Sequence, residues 1–169
     1  MSKSQDLDFY IPHWEELPDI DLYLDQVVTF IDKYLKNYIK IDSEDKEDKT
    51  ATCVTKTMIN NYVKQGILEA PIKKKYNKKH ISYLFVICIL KQVYSISEID
   101  KLIKLAQKDY PVNEAYNTFC NALESSIKNI FAGKSYLNIK HLPESTYLLI
   151  NVVQTFASKL YVEKKALNF

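Results

Sequence analysis

The chain has 169 residues, 47% of them hydrophobic, which is enough for a substantial core and, at roughly 100 to 200 residues per domain, for one domain or two small ones. Its two glycines, Gly66 and Gly133, are too few for a strand-rich fold or for glycine-rich phosphate loops, so extended sheet, P-loop and Rossmann chemistry are excluded. The net charge is only +2 and all 23 basic residues are lysine, which removes the planar fork that reads guanine in a bidentate manner.

Residues 1–25 set Asp6, Asp8, Glu15, Glu16, Asp19, Asp21 and Asp25 against Lys3 alone, and embed Ile11, Pro12, Trp14, Leu17 and Pro18. This is an acidic arm with apolar anchors. Asp19 or Asp21 is expected to cap a first helix, whose apolar positions Leu24, Val27, Val28, Ile31, Leu35 and Tyr38 recur at spacings of three and four and carry it to about Ile39. Residues 41–49 hold Asp42, Glu44, Asp45, Glu47 and Asp48 without apolar periodicity after Ile41, the pattern of a solvated loop.

Thr55 is a good N-cap for a short helix through Ile59, Tyr62 and Val63, and Gly66 stands where a left-handed residue would close it. Ile67, Leu68 and Pro71 form a turn, and a run of lysines follows. Next comes Ile81, Leu84, Phe85, Ile87, Cys88, Leu90 and Val93, a helix apolar on most sides that belongs at the centre of a core. Ser97 with Asp100 three residues on reads as a capping box for a helix with one apolar face: Ile99, Leu102, Ile103 and Ala106. A fifth helix carries Tyr116, Phe119, Cys120, Leu123, Ile127 and Phe131 and stops near Gly133. A sixth, over residues 147–165, turns Leu149, Val153, Phe156 and Leu160 inward. The expected fold is all-α: arm, first helix and loop in 1–50, a basic helix-turn-helix-like core in 51–110, and a helical annex in 111–169 packed on the same body.

Charge is segregated. Residues 55–80 contain Lys56, Lys64, Lys73, Lys74, Lys75, Lys78 and Lys79 against Glu69 alone, so that +6 in this stretch against +2 overall leaves −4 for the remainder. A concentrated positive surface beside a short polar-faced helix is the electrostatic footprint of phosphate-backbone binding. With Ile59, Tyr62 and Val63 inward, Lys56, Thr57, Asn60, Asn61 and Lys64 face outward, and asparagine can pair with adenine edges in the major groove. Ordinary solvent-facing side chains account for the same pattern.

Two resemblances bear on this segment. "INNYVKQGIL", "PIKKKY" and "HISYLFVICILKQVYSISEIDKLI" look like the winged helix-turn-helix of MerR-type regulators, in which a recognition helix is followed by a tight turn, a basic wing and a helix pair. The wing lacks glycine and arginine, and Tyr94 replaces the usual glycine. "IPHWEELPDIDLYLDQV" together with "MINNYVKQGILEAPIKKKYNKKHISYLFVICILKQVYSISEI" resembles the DUF1836 family, a bacterial domain of unknown function, which implies a shared fold but no activity.

From these residues the expectation is a DNA-binding transcriptional regulator, a homodimer on double-stranded DNA, with Lys56, Thr57, Asn60 and Asn61 in the major groove and Lys73, Lys74, Lys75, Lys78 and Lys79 on phosphates. The rival reading is a helical protein-interaction module whose basic face meets an acidic partner. The acidic arm is a candidate autoinhibitor of either. No enzyme activity, metal or cofactor is expected: His13, His80 and His141 are dispersed, and Cys53, Cys88 and Cys120 form no ligand spacing and read as free thiols, Cys88 and Cys120 buried. A small-molecule effector is left unassigned, with the thirteen tyrosines as candidate pocket lining. No basic-then-apolar leader opens the chain, and its longest apolar stretch, residues 83–90, falls far short of the roughly 20 that span a bilayer, so a cytoplasmic location is expected.

Overall fold

The computed structural model describes residues 7–41, 51–134 and 142–167. Residues 1–6, the acidic stretch 42–49 and His141 lie outside them. Six α-helices occur among the described residues, with one two-stranded ribbon, so the fold is all-α.

The helix spanning Lys78–Leu90, α3, sits at the centre because its sequence offers almost no polar face: Ile81, Leu84, Phe85, Ile87, Cys88, Ile89 and Leu90 are all buried. Its start is closed reciprocally, the Asn77 side chain accepting from His80 N–H at 3.2 Å while His80 Nδ1 accepts from Asn77 N–H at 3.1 Å. Buried His80 is thus a capping residue. Ser82, buried on the same helix, donates back to the Lys79 carbonyl at 2.9 Å.

Around α3 are packed α1 (Leu24–Leu35), α2 (Lys56–Lys64), α4 (Ile96–Asp109), α5 (Val112–Phe131) and α6 (Glu144–Ala166). Val27, Ile31 and Leu35 are the buried stripe of α1. Aromatic edges join α1 to α3, with the Phe85 ring 6.1 Å from Phe30 and 6.0 Å from Tyr34. The α5 and α6 helices pair along their length, and their buried faces, including Phe119, Leu123, Ile127, Val153, Phe156 and Leu160, belong to the same core as α3.

Three local expectations are corrected. Neither Asp19 nor Asp21 caps the first helix, because Leu22 and Tyr23 are extended as strand β1; the N-cap is Tyr23, whose N–H donates to Gln26 Oε1 at 2.8 Å. That helix ends at Leu35, four residues short of Ile39, and continues as a turn. On α4 the cap is Ser95, paired with Glu98, and not Ser97 with Asp100; Ser95 N–H donates to Glu98 Oε2 at 2.7 Å. Along the apolar face of α4, Ile99 is buried, Leu102 and Ile103 are half-buried against the core, and Ala106 is exposed.

The arm is part of the core. Ile11 and Leu17 are fully buried, and Phe9 packs edge-on against Tyr38 and Phe156. Polar contacts fasten it to α5: Tyr116 donates to the Pro12 carbonyl at 2.8 Å, and Trp14 N–H donates to Asn117 Oδ1 at 2.8 Å.

One buried group lacks a partner among the described residues, the hydroxyl of Tyr62 on α2. Burying an unbonded hydroxyl costs about 1–3 kcal/mol. Tyr62→Phe is therefore expected to leave the thermal midpoint unchanged or raise it; a loss above about 1 kcal/mol would reveal a hydrogen bond made by that oxygen.

Candidate functional site

The basic segment is assembled on a spine formed by residues 19–25. Thr55 caps α2 by accepting Met58 N–H at 3.2 Å, and Gly66, at φ +75°, closes it, letting Ile67 N–H and Leu68 N–H return to the Tyr62 carbonyl. With both ends defined, Ile59 and Tyr62 turn inward, and Lys56, Thr57, Asn60, Asn61 and Lys64 are all exposed. Lys56, Asn60 and Lys64 follow one another at four-residue spacing, a row about 12 Å long. No side-chain hydrogen bond among the described residues engages Asn60 or Asn61. Both amides are free to meet a ligand.

The lysine run folds into a tight hairpin. Ile72 and Lys75 exchange backbone hydrogen bonds of 3.0 and 2.9 Å around two central residues, Lys73 and Lys74, which take φ of +49° and +63°. Two positive φ values in a two-residue loop follow the pattern of a type I′ turn, whose favoured occupants are Asn and Gly. Strand β2 (Lys75–Tyr76) then pairs antiparallel with β1 (Leu22–Tyr23), Leu22 opposite Tyr76 and Tyr23 opposite Lys75.

This pairing brings the lysines together. Lys75 Nζ lies 5.0 Å from the Tyr23 ring centre, Lys56 is paired with Asp25, and Lys78 Nζ is 2.6 Å from Asp19 Oδ1. Because Tyr23 and Asp25 are two residues apart, the start of α2 and the ribbon lie side by side. Lys79 Nζ bonds Glu69 Oε1 at 2.5 Å, and this hydrogen bond raises the lysine's pKa above its ordinary value. Lys64, Lys73 and Lys74 have no ion pair among the described residues. Asp19, Asp25 and Glu69 are mostly exposed, and exposed pairs contribute only about 0–1 kcal/mol, so an incoming anion can replace them at small cost.

The exposure of the five α2 residues follows from the sequence pattern. The ribbon and the acidic partners do not, because Asp19, Asp25 and Tyr23 reach the lysines only through tertiary pairing. Ile20, Tyr23 and Ile72, at 72%, 53% and 62% exposure, add an apolar component beside the lysines that charge counting overlooks.

Elsewhere the chemistry is quiet. Cys88 and Cys120 are buried and free, and burial pushes both thiols up to about 12, which keeps them protonated and unreactive. His13 Nε2 meets Glu124 at 3.1 Å, an arm-to-α5 contact. Among the described residues no three His, Cys, Asp or Glu side chains gather as metal ligands, and no helix is long and apolar enough to cross a membrane.

Neither a curated protein nor a solved structure matches the chain. A family model described as "Domain of unknown function (DUF1836)" matches residues 12–119, from the arm across the basic segment and α3 into α5. Since this is more than half of the sequence and includes every residue of the basic site, the chain belongs to the DUF1836 family.

Proposed function

We propose that the protein is a DNA-binding transcriptional regulator in which α2 enters the major groove and the Ile72–Lys75 hairpin is a short basic wing, in the manner of a MerR-type winged helix-turn-helix. In this reading Lys56, Thr57, Asn60 and Asn61 meet base edges, Lys64 flanks them, and Lys73, Lys74, Lys75, Lys78 and Lys79 meet phosphates. A homodimer, formed through α1 or the α5–α6 pair, supplies two half-sites.

The observation that carries the reading is the hairpin tip. Lys73 and Lys74 hold left-handed backbone conformations that cost a non-glycine residue about 1 kcal/mol or more, at positions where Asn and Gly are favoured. The chain uses asparagine eleven times, so the favoured turn residue is common elsewhere in the sequence. Two cations at the tip of a two-residue turn break the local preference, and positions that break a local rule are where a functional role is expected.

Fluorescence anisotropy on AT-rich and mixed duplexes across a salt series tests the reading. Affinity is expected to fall steeply with salt, at a slope of roughly 0.9 per phosphate contact. Asn60→Ala/Asn61→Ala is expected to cost about 1–3 kcal/mol on the preferred duplex and to flatten the difference between duplexes while leaving the salt slope unchanged. No binding by the wild type at low salt would refute the proposal.

One observation favours a protein partner instead. Three of the lysines already hold carboxylates, and exposed Ile20, Tyr23 and Ile72 offer apolar contact beside them. An acidic peptide that binds with weak salt dependence and loses affinity on Ile72→Ser would support that alternative.

A further inference from the structure

The amphipathic helix α4 exposes an apolar stripe that no other described residue covers completely. Beyond buried Ile99, Leu102 and Ile103 are half-buried, and Leu105 is 43% exposed. Facing them across a gap, the start of α6 exposes Leu148 at 40%. The walls stand apart and leave a cleft of about 150 Å³ whose floor is the buried core itself, Leu90, Phe119 and Val152.

We propose that this cleft, between α3, α4, α5 and α6, binds a small uncharged apolar molecule of the size of one aromatic ring or a short alkyl chain. An enclosed apolar cavity of about 150 Å³ takes up a molecule the size of benzene, which sets the size of occupant that this open cleft can hold. The lining also argues against an anion. It contains none of the chain's 23 lysines, and its one charged side chain is Asp109, so a carboxylate or phosphate finds no counter-ion there. One polar anchor is the Tyr83 hydroxyl, which accepts from Gln107 Nε2 at 2.5 Å and joins α3 to α4.

A second copy of the chain is a poorer occupant. The cleft admits about one side chain of a partner, whereas a stable interface buries roughly 1,200–2,000 Å². The site also touches the basic surface, since Lys79 Nζ lies 5.9 Å from the Tyr83 ring centre. An occupant that displaces Tyr83 therefore acts on one of the lysines assigned to phosphate contact; this consequence rests on the DNA reading, whereas binding itself does not.

The test is a titration of the ¹⁵N-labelled full chain with toluene and, separately, with benzoate, its anionic counterpart, in the absence of DNA. Toluene is expected to give saturable amide shifts confined to α4 residues 102–109, the facing parts of α3 and α5 and the start of α6, with benzoate binding at least tenfold more weakly. Ala106→Trp, at an exposed lining position that leaves the core intact, is expected to abolish the toluene shifts while keeping the wild-type thermal midpoint. The proposal is overturned if toluene gives no saturable shifts, if benzoate binds equally well, or if Ala106→Trp binds toluene like the wild type. It is also overturned if sedimentation shows a wild-type dimer that Ala106→Trp converts to monomers, which would assign the face to a second copy. Because no arm involves DNA, failure here leaves the DNA reading standing, and failure of DNA binding leaves this site standing.

Discussion

The double substitution Lys73→Asn/Lys74→Gly raises the thermal midpoint and lowers the affinity for duplex DNA. The two effects have separate origins. Placing Asn and Gly at φ of +49° and +63° relieves the left-handed conformation that the lysines endure, and the net gain is expected to be about 1 kcal/mol, or roughly 2–4 °C for a chain of this size. The backbone bonds between Ile72 and Lys75 remain, so the ribbon keeps its shape. Both unpaired cations at the tip are lost. Two phosphate contacts fewer should reduce the salt slope by about 2 and the low-salt affinity by roughly tenfold to a hundredfold. Thermal melts and anisotropy on the same sample separate the two. A variant that is more stable and binds as tightly as the wild type would show that these lysines do not touch the backbone. Lys73→Ala/Lys74→Ala removes the charge without relieving the turn, and should bind as weakly as the Asn-Gly variant while melting no higher than the wild type.

Deleting the arm does not test autoinhibition. Ile11 and Leu17 are buried in the core, so removing residues 7–17 damages the fold before it frees any lysine. Of the carboxylates that meet the basic surface, Asp19 and Asp25 lie at the junction of arm and α1, and their amides are the variants that isolate competition between the arm and phosphate.

What the sequence disclosed, and what it hid, follows from the range over which each feature is determined. The exposed face of α2 was legible because Thr55 and Gly66 bound a helix too short to rotate its apolar residues anywhere but inward. The centrality of α3 was legible for a similar local reason: a helix apolar all round has no solvent face. The ribbon was not, since a two-residue strand has no period, and Leu22 finds Tyr76 only after the chain has returned across α1 and α2. The α4 cap was ambiguous in itself, because Ser95 and Ser97 each precede an acid by three residues. Packing decides it. Starting the helix at Ile96 lays that side chain and Ile99 against the core. The cleft was hidden for a different reason: periodicity says which face of α4 is apolar, and does not say whether anything covers it.

Phe156→Ala is expected to lower the stability of the whole protein by about 3–5 kcal/mol, a large fraction of the 5–15 kcal/mol typical of folded proteins. Phe156 is 2% exposed on α6 and sits where α6 meets the arm, its ring 6.5 Å from that of Phe9. A cavity there loosens both elements. Urea unfolding followed by two probes decides how far the damage spreads. The single tryptophan, Trp14, lies in the arm against α5, so its fluorescence reports arm docking, while far-ultraviolet circular dichroism reports the helices. Because arm, α1, α3, α5 and α6 contribute to one continuous core, the two transitions should coincide in the wild type and move down together in the mutant, by roughly 2 M. If fluorescence changes first, the arm is a separately opening strap, and its acidic residues at positions 19 and 25 regain a regulatory role over Lys78 and Lys56. Coincident transitions would make those ion pairs fixed parts of the surface that a phosphate backbone has to displace.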